Sequence, residues 1–471
     1  MKEKLNCYFN QMAFAISKIR ANGTASFSER EFNSILKDKN NEYMLKIKNK
    51  IPEFFYEDNI YENELTEDFF SRITELIIEG ESYLLLLLLY YMDRAIAVCY
   101  GLNVNFEDDI EEIEFLNSNY EETHIILLKK VSCKWGFRRY GNGIRGILNY
   151  FYFIVFDPEN SIKYKNYSLD SKIIMTNKKS NLRIAISPLT KEKVVVFSKP
   201  YERENEITQS KQYWFRVEKL MNENYITELV RKNIYVAGEK RTDILVFPEM
   251  LGTRKMLNDI ITEIQQNDIS VPVPPLIIFP SIWEKTVDDL DNTNKSAIIL
   301  NGTDIIFEQD KRCDFKDVSE TGEYIYEDIN RNRKKHNIIN TLHIEGIGRL
   351  CIVICFDYID IENRECILKN LQPTLICTPS FSTGSHHFMT ADSALMYQEC
   401  NWVWCNTCSA MHETKKEGNF KTIGIITKLS KNCDSSNLEA YIQRFDGVEK
   451  CKKEQCDKCV YYADISLKVK E

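Results

Sequence analysis

The chain has 471 residues, 44% of them hydrophobic and 28% charged. That is ample apolar material for packed cores and long for one domain, so two domains are expected. The formal net charge of −9 argues against a general nucleic-acid binder, which needs clustered cations to release counterions.

The first residues, Met1-Lys2-Glu3-Lys4, carry no secretory apolar run, and the 15 cysteines are an odd number. Together these predict a cytoplasmic protein with free thiols. Residues 1 to about 156 read as mainly helical. Ser28-Glu29-Arg30-Glu31 has the form of a capping box ahead of Phe32, Ile35 and Leu36, whose spacing makes one apolar face. Thr66 is expected to start a second helix striped by Phe69, Phe70, Ile73, Leu76 and Ile77, with Gly80 as its stop. Tyr83 to Met92 contains six consecutive leucines and runs into Asp93-Arg94. It is about half the length that spans a bilayer, so it predicts a buried central helix and no membrane span. The acidic run Glu107 to Glu114 predicts a solvated face, with docking to a basic partner as the weaker alternative. Trp135-Gly136-Phe137-Arg138-Arg139-Tyr140-Gly141 predicts an aromatic turn, with base stacking as the weaker alternative. Ile147 to Phe156 reads as a strand or short helix. Asp157-Pro158 opens a polar stretch to about Asn181, the expected linker.

From residue 182 the pattern changes. Leu182 to Ser187 is a short apolar strand closed by Pro188. A helix is expected next, with Trp214, Val217, Leu220 and Met221 on one side and Ile226, Leu229 and Val230 continuing it. Asp243 to Phe247 is a strand that runs into Pro248-Glu249. Met256, Leu257, Ile260, Ile261 and Ile264 stripe another helix, and Pro275 to Pro280 holds a third strand. Ser296 to Leu300 and Asp304 to Phe307 flank Asn301-Gly302, a strong hairpin signal. That hairpin leads to Asp310-Lys311-Arg312. Thr341 to Ile344 is expected to turn at Glu345-Gly346-Ile347-Gly348 and pair with Leu350 to Ile354, which ends on Cys355-Phe356-Asp357. A further strand, Pro373 to Thr378, follows. Strands that alternate with helices and then pair as hairpins predict an α/β layered architecture with a mixed sheet. Three strand ends therefore offer Glu249, Lys311 and Cys355, residues that singly are most often surface groups or buried hydrophobes.

Phe247-Pro248-Glu249, Asp310-Lys311-Arg312 and Cys355-Phe356-Asp357 resemble, in this order, the signature of the nitrilase, or carbon–nitrogen hydrolase, superfamily. Leu182 to Ser187, the Asn301-Gly302 hairpin, the Gly346 to Gly348 turn, Ile376 to Ser380 and the closing Tyr461 to Ile465 also fall where that family has strands and turns. The resemblance covers about residues 182–471. It implies an α-β-β-α sandwich, preceded here by a mainly helical N-terminal domain of residues 1–181, and self-association into homo-oligomers. It also implies a Glu–Lys–Cys triad. A free thiol is only a few per cent ionised at pH 7. Glu249 would act as general base, Cys355 as nucleophile on an amide or nitrile carbon, and Lys311 with the Phe356 backbone N–H as the oxyanion site. The family's second glutamate downstream of the lysine matches Glu323 in Gly322-Glu323-Tyr324. After Cys355-Phe356-Asp357 this chain has Tyr358-Ile359-Asp360-Ile361-Glu362, without the family's proline. Met396-Tyr397-Gln398-Glu399 only loosely echoes its Arg-Ala-x-Glu helix. Asn406 matches an asparagine position of the family, and His386 and His387 fall in the loop after the post-cysteine strand.

The sequence predicts a cysteine-dependent hydrolase of a small amide or nitrile, with no cofactor required and a protein partner for the N-terminal domain as an option. Two alternatives stand beside it. One is a non-catalytic nitrilase-like module of a larger assembly, such as a bacterial defence system. The other is an amide-forming acyltransferase using the same triad. Cys405-x-x-Cys408 and Cys456-x-x-Cys459, with Cys451 nearby, have the spacing of a structural zinc site, a weaker reading because the pairs are far apart. A Walker motif is absent, so phosphate-loop nucleotide chemistry has no support.

Overall fold

The computed structural model describes residues 2–23, 28–55, 60–96, 110–131, 133, 144–159, 162–174, 180–204, 211–266, 272–285, 292–318, 322–329, 337–397, 400–413, 420–431, 438–446 and 456–467. The chain forms two compact units, Met1–Ser132 with Phe137–Ile162, and Cys133–Gly136 with Lys163–Glu471. The main division falls at Ile162/Lys163 instead of after residue 181. Lys163–Leu169, expected as linker, is a strand that pairs in parallel with Ile338–Ile344.

The first unit is built on helices α1 (Lys2–Ala21), α2 (Glu29–Lys37), α3 (Glu42–Lys50), α4 (Glu67–Glu79) and α5 (Ser82–Ala95). Ser28 caps α2 by accepting the Glu31 N–H, and Thr66 caps α4 by accepting the Phe69 N–H. Tyr8, Met12 and Ile16 of α1, Ile73 and Leu76 of α4, and all six leucines of α5 share one core. This unit is not wholly helical. Strands β1 (Ile125–Lys129) and β2 (Phe151–Val155) pair antiparallel. Asp93, buried at the end of α5, accepts the backbone N–H groups of Asn149, Tyr150 and Phe151. The segment 135–141 and residues 107–109 of the acidic run lie outside the described residues.

In the second unit the strands include β3 (Lys163–Leu169), β4 (Asn181–Ile186), β5 (Tyr201–Glu204), β6 (Lys211–Phe215), β7 (Ile244–Val246), β8 (Leu276–Ile278), β9 (Ile282–Lys285), β10 (Asn292–Leu300), β11 (Asp304–Asp310), β12 (Lys316–Val318), β13 (Tyr324–Glu327), β14 (Ile338–Ile344), β15 (Gly348–Ile352), β16 (Leu375–Ser380), β17 (Asn401–Asn406), β18 (Thr422–Lys431), β19 (Leu438–Asp446) and β20 (Tyr461–Ser466). One sheet runs β9-β10-β8-β7-β4-β20, with β11 also on β10; a second runs β3-β14-β15-β16-β17-β18-β19. Both are mixed: β7 is parallel to β4 and β8, while β20 is antiparallel to β4. The Asn301-Gly302 turn joins β10 to β11 with φ of 49° and 76°, the left-handed pair that a two-residue hairpin turn demands.

Alternation along the strands sorts the faces. Ala185, Leu245, Ile277 and Ile299 of the first sheet pack with Ile226, Val230 and Ile234 of helix α6 (Glu223–Glu239) and with Met256, Leu257 and Ile260 of helix α7 (Arg254–Gln266). Ile186 points the other way. A Cβ on Gly424 of β18 would lie 1.9 Å from its Cδ1, so the two sheets approach closely there because glycine leaves room. On the second sheet, Trp402 and Trp404 of β17 stack at 4.7 Å on Tyr358 of helix α8 (Phe356–Ile359) and on Phe388 of helix α9 (His386–Tyr397).

One expectation is corrected. Trp214, Val217 and Leu220 do not lie on a helix. Lys211–Phe215 and Val217–Leu220 are strands, and the helix begins at Glu223. Strand β6 joins a small separate sheet in the order β12-β13-β6-β5. Among the described residues no helix is long and apolar enough to cross a membrane.

Candidate active site

The site lies at the ends of strands that the two large sheets bring together. Strand β7, central and parallel in the first sheet, continues through Phe247-Pro248 to Glu249, which is 0% exposed. Strand β11 delivers Lys311, 1% exposed, one residue past its end. The Lys311 N–H donates to the Asn294 carbonyl on β10 at 2.8 Å, which holds the turn against the sheet.

Lys311 Nζ lies 2.8 Å from Glu249 Oε1 and 2.6 Å from Glu327 Oε2. Asn294 Nδ2 also donates to Glu249 Oε1 at 2.8 Å, and the Phe381 N–H donates to Glu249 Oε2 at 2.9 Å. Every oxygen of Glu249 is therefore fixed. Burial opposes the charge on Lys311, but Glu249, Glu327 and Cys355 together hold its ammonium well above the usual lysine range.

Cys355 follows β15 at an elbow, with φ 46° and ψ −106°. Positive φ strains a residue that carries a Cβ. The elbow persists because the Cys355 N–H is anchored to the Pro379 carbonyl at 2.9 Å, and its carbonyl accepts the Tyr358 N–H at 3.0 Å. The thiol lies beside the Glu249 carboxylate. Burial first, then the Glu249 carboxylate, push its pKa well above the ordinary thiol range, and Lys311 pulls the other way. The resting group is a neutral thiol beside a carboxylate. Phe356 opens helix α8, where the first N–H groups have no partner within the helix.

The structure thus brings Glu249, Lys311 and Cys355 together and sets Phe356 directly beside the sulfur's own backbone. Glu323 is not at the lysine. It is exposed just before β13, in the turn with Gly322. Glu327, four residues further on and 0% exposed, occupies the place expected for it. Four residues of extended strand span roughly 13 Å, so only one of the two can reach the ammonium. The missed signal was a carboxylate closing the apolar-rich run Tyr324-Ile325-Tyr326. Burial, offset in part by Lys311 and reinforced by Glu249, raises the Glu327 pKa to about 7.

Asp357, also missed, ties the cysteine elbow to the lysine turn. It accepts the Arg312 N–H at 3.0 Å and the Cys313 N–H at 2.6 Å. Burial raises its pKa to about 6 against these two hydrogen bonds. Arg312 in turn donates to Asn337 and Asn363, and Asn363 Nδ2 donates to the Asp357 carbonyl at 2.6 Å. Asn406 clamps Ser382, accepting its N–H and donating to its carbonyl, both at 2.8 Å. This fixes the segment whose Phe381 N–H holds Glu249. His386 and His387 are exposed in the first turn of α9. Gln398 and Glu399 lie outside the described residues, as does Cys451. Cys405, Cys408 and Cys459 are buried, and no group of three His, Cys, Asp or Glu side chains placed to hold a metal occurs among the described residues.

A buried carboxylate, a buried thiol and a buried ammonium are grouped around one point. No family model matches the chain, and no curated protein matches it. Several solved structures do, a member of the nitrilase superfamily among them. Nit3 of Saccharomyces cerevisiae, a member of branch 10 of that superfamily, is 11% identical over 61% of this chain and 91% of its own, with a TM-score of 0.31. An amidase from Nesterenkonia sp. is 10% identical over 62% and 92%, with a TM-score of 0.36. The C. elegans NitFhit protein is 15% identical over 61% of each chain, with a TM-score of 0.34.

Proposed function

We propose that the second unit is a nitrilase-like α-β-β-α sandwich that hydrolyses a non-peptide carbon–nitrogen bond, in an amide or a nitrile, through a thioester-type intermediate on Cys355. The observation that carries this reading is the shared burial of Glu249, Lys311 and Cys355. One carboxylate sits beside the thiol and 2.8 Å from the ammonium.

For an amide the steps follow from the geometry. Glu249 takes the thiol proton as Cys355 Sγ bonds to the carbonyl carbon. The carbonyl oxygen becomes an oxyanion, held by the Lys311 ammonium and the Phe356 N–H. One such donor is worth about 2.7–4 kcal/mol in the transition state. When the intermediate collapses, the C–N bond breaks and Glu249 returns its proton to the departing amine. Glu249 then takes a proton from water, whose oxygen attacks the thioester and releases the acid and the thiol. Among the described residues, Glu327 Oε1 is buried without a hydrogen-bond partner. A substrate amide N–H would supply one, which gives Glu327 a role in orienting the leaving nitrogen.

The test is ammonia release from a panel of primary amides and nitriles, parent against Cys355→Ala, with intact-mass analysis for an acyl adduct. Release that vanishes in the variant, together with an adduct mapped to Cys355, is expected. Equal release from both proteins, or no adduct and no release with any compound, would defeat the hydrolase reading and favour a non-catalytic module. An amide product formed on addition of an amine would redirect it to acyl transfer.

A further inference from the structure

Resting on that reading, we propose that the substrate is a carboxamide or nitrile with an uncharged aromatic acyl group, received by a set of phenylalanine rings tied to the catalytic groups.

Three of the backbone N–H groups that serve the site belong to phenylalanine. The Phe381 N–H holds Glu249 at 2.9 Å, and the Phe315 N–H holds Glu327 at 3.1 Å. Phe356 directly follows the nucleophile. Their rings are paired with one another or with a second aromatic layer. Phe315 meets Phe356 edge-on, with centroids 5.9 Å apart. Phe381 meets Phe197 at 5.7 Å, and Phe197 meets Phe215 at 5.7 Å, both near perpendicular. These contacts hold the rings in two edge-to-face groups, the geometry that rings favour.

None of the five rings is fully buried, and Phe315 is 37% exposed. Apolar surface left partly wet beside buried polar groups is what a ligand would cover, since small-molecule sites are lined mainly by aromatic and apolar side chains with a few polar groups. The charge around the site sets the second restriction. Lys311 already contacts both Glu249 and Glu327, so an acyl group that brings its own carboxylate finds that ammonium engaged. A planar neutral acyl group gains ring contact at no electrostatic cost.

The experiment uses the full chain. Ammonia release gives kcat/KM for benzamide, phenylacetamide, acetamide, succinamate and glycinamide. Protection of Cys355 from iodoacetamide by each amide reads the same preference without turnover. An aromatic amide favoured by about tenfold or more over acetamide is expected, as ring contacts of about 1 kcal/mol and more provide. In Phe197→Ala, or in Phe197→Leu if the alanine variant unfolds, the ratio of aromatic to acetamide turnover should collapse towards one. Acetamide, succinamate or glycinamide turned over as well as benzamide, with release still dependent on Cys355, would overturn this inference and leave the hydrolase reading intact. Selective protection by benzamide with no ammonia from any amide would keep the aromatic site and remove the hydrolase.

Discussion

Lys311 Nζ lies 2.6 Å from Glu327 Oε2 as well as 2.8 Å from Glu249 Oε1. One ammonium therefore serves two buried carboxylates. Removing one member of a buried ion pair costs about 3–5 kcal/mol because the partner is left uncompensated. Lys311→Met strands both carboxylates and should lose at least that much stability in urea titration, along with all hydrolysis. Glu327→Gln keeps the Lys311–Glu249 contact and should lose less. Equal losses in the two variants would contradict the bridging role.

Glu327 also sets a pH dependence. Its pKa rises from an ordinary 4.5 to about 7 on folding. Between those values the folded chain holds a proton that the unfolded chain has released. Stability must therefore fall as pH rises from 4.5 through 7. Asp357, raised from 3.8 to about 6, adds to the fall at the acid end. Glu327→Gln removes only its own share, so the difference in Tm between variant and parent should widen in the variant's favour from pH 4.5 to 7.5. Parallel curves would refute this assignment.

For Cys355 the expected behaviour of Glu249→Gln is two-sided. Loss of the general base should slow amide hydrolysis by about 10²–10⁴-fold. The same change removes a neighbouring charge that pushes the thiol pKa upward. The pH midpoint of Cys355 alkylation, followed by peptide mapping with iodoacetamide, should therefore move down while turnover collapses. A midpoint that moves up would mean the carboxylate does not face the sulfur.

Asp357→Ala tests the tie between elbow and lysine turn. The carboxylate accepts the Arg312 and Cys313 N–H groups, and hydrogen bonds to a charged group are worth about 1.5–3 kcal/mol each. A loss of about 3 kcal/mol is expected, with kcat falling more than KM changes because the ammonium is displaced from the oxyanion position. A pure stability loss with unchanged kcat would make Asp357 structural only.

Gly424 tests the approach of the two sheets. Its Cβ would stand 1.9 Å from Ile186 Cδ1, so Gly424→Ala should cost about 1–3 kcal/mol by overpacking. Ile186→Val removes that Cδ1. In a double-mutant cycle the pair should couple by about 1 kcal/mol or more in the rescuing direction. Additive losses would mean that the strain is relieved elsewhere.

What was legible in the sequence is what short stretches encode. The caps at Ser28 and Thr66, the leucine helix, the Asn301-Gly302 hairpin and the strands ahead of Glu249, Lys311 and Cys355 each depend on residues within one or two turns or a single strand pair. Backbone dihedral preferences, hydrogen-bond capping and apolar periodicity act over that range. Residues 211–220 failed the same test. Their apolar spacing fits a helix, but Tyr213, Trp214, Phe215 and Val217 favour a pleated surface, and pairing with β5 and β13 decides the outcome.

Only the tertiary structure decided which carboxylate meets Lys311. Glu323 and Glu327 flank the same strand, and nothing local separates them. The choice is made by the register of β13 on β6, more than a hundred positions earlier in the chain, which sets Glu327 opposite Phe215. The same holds for Asp357 and for the recruitment of Lys163–Leu169 into the second sheet. Side-chain identity names the candidates, but their distances depend on strand register, which distant segments settle jointly when they pack.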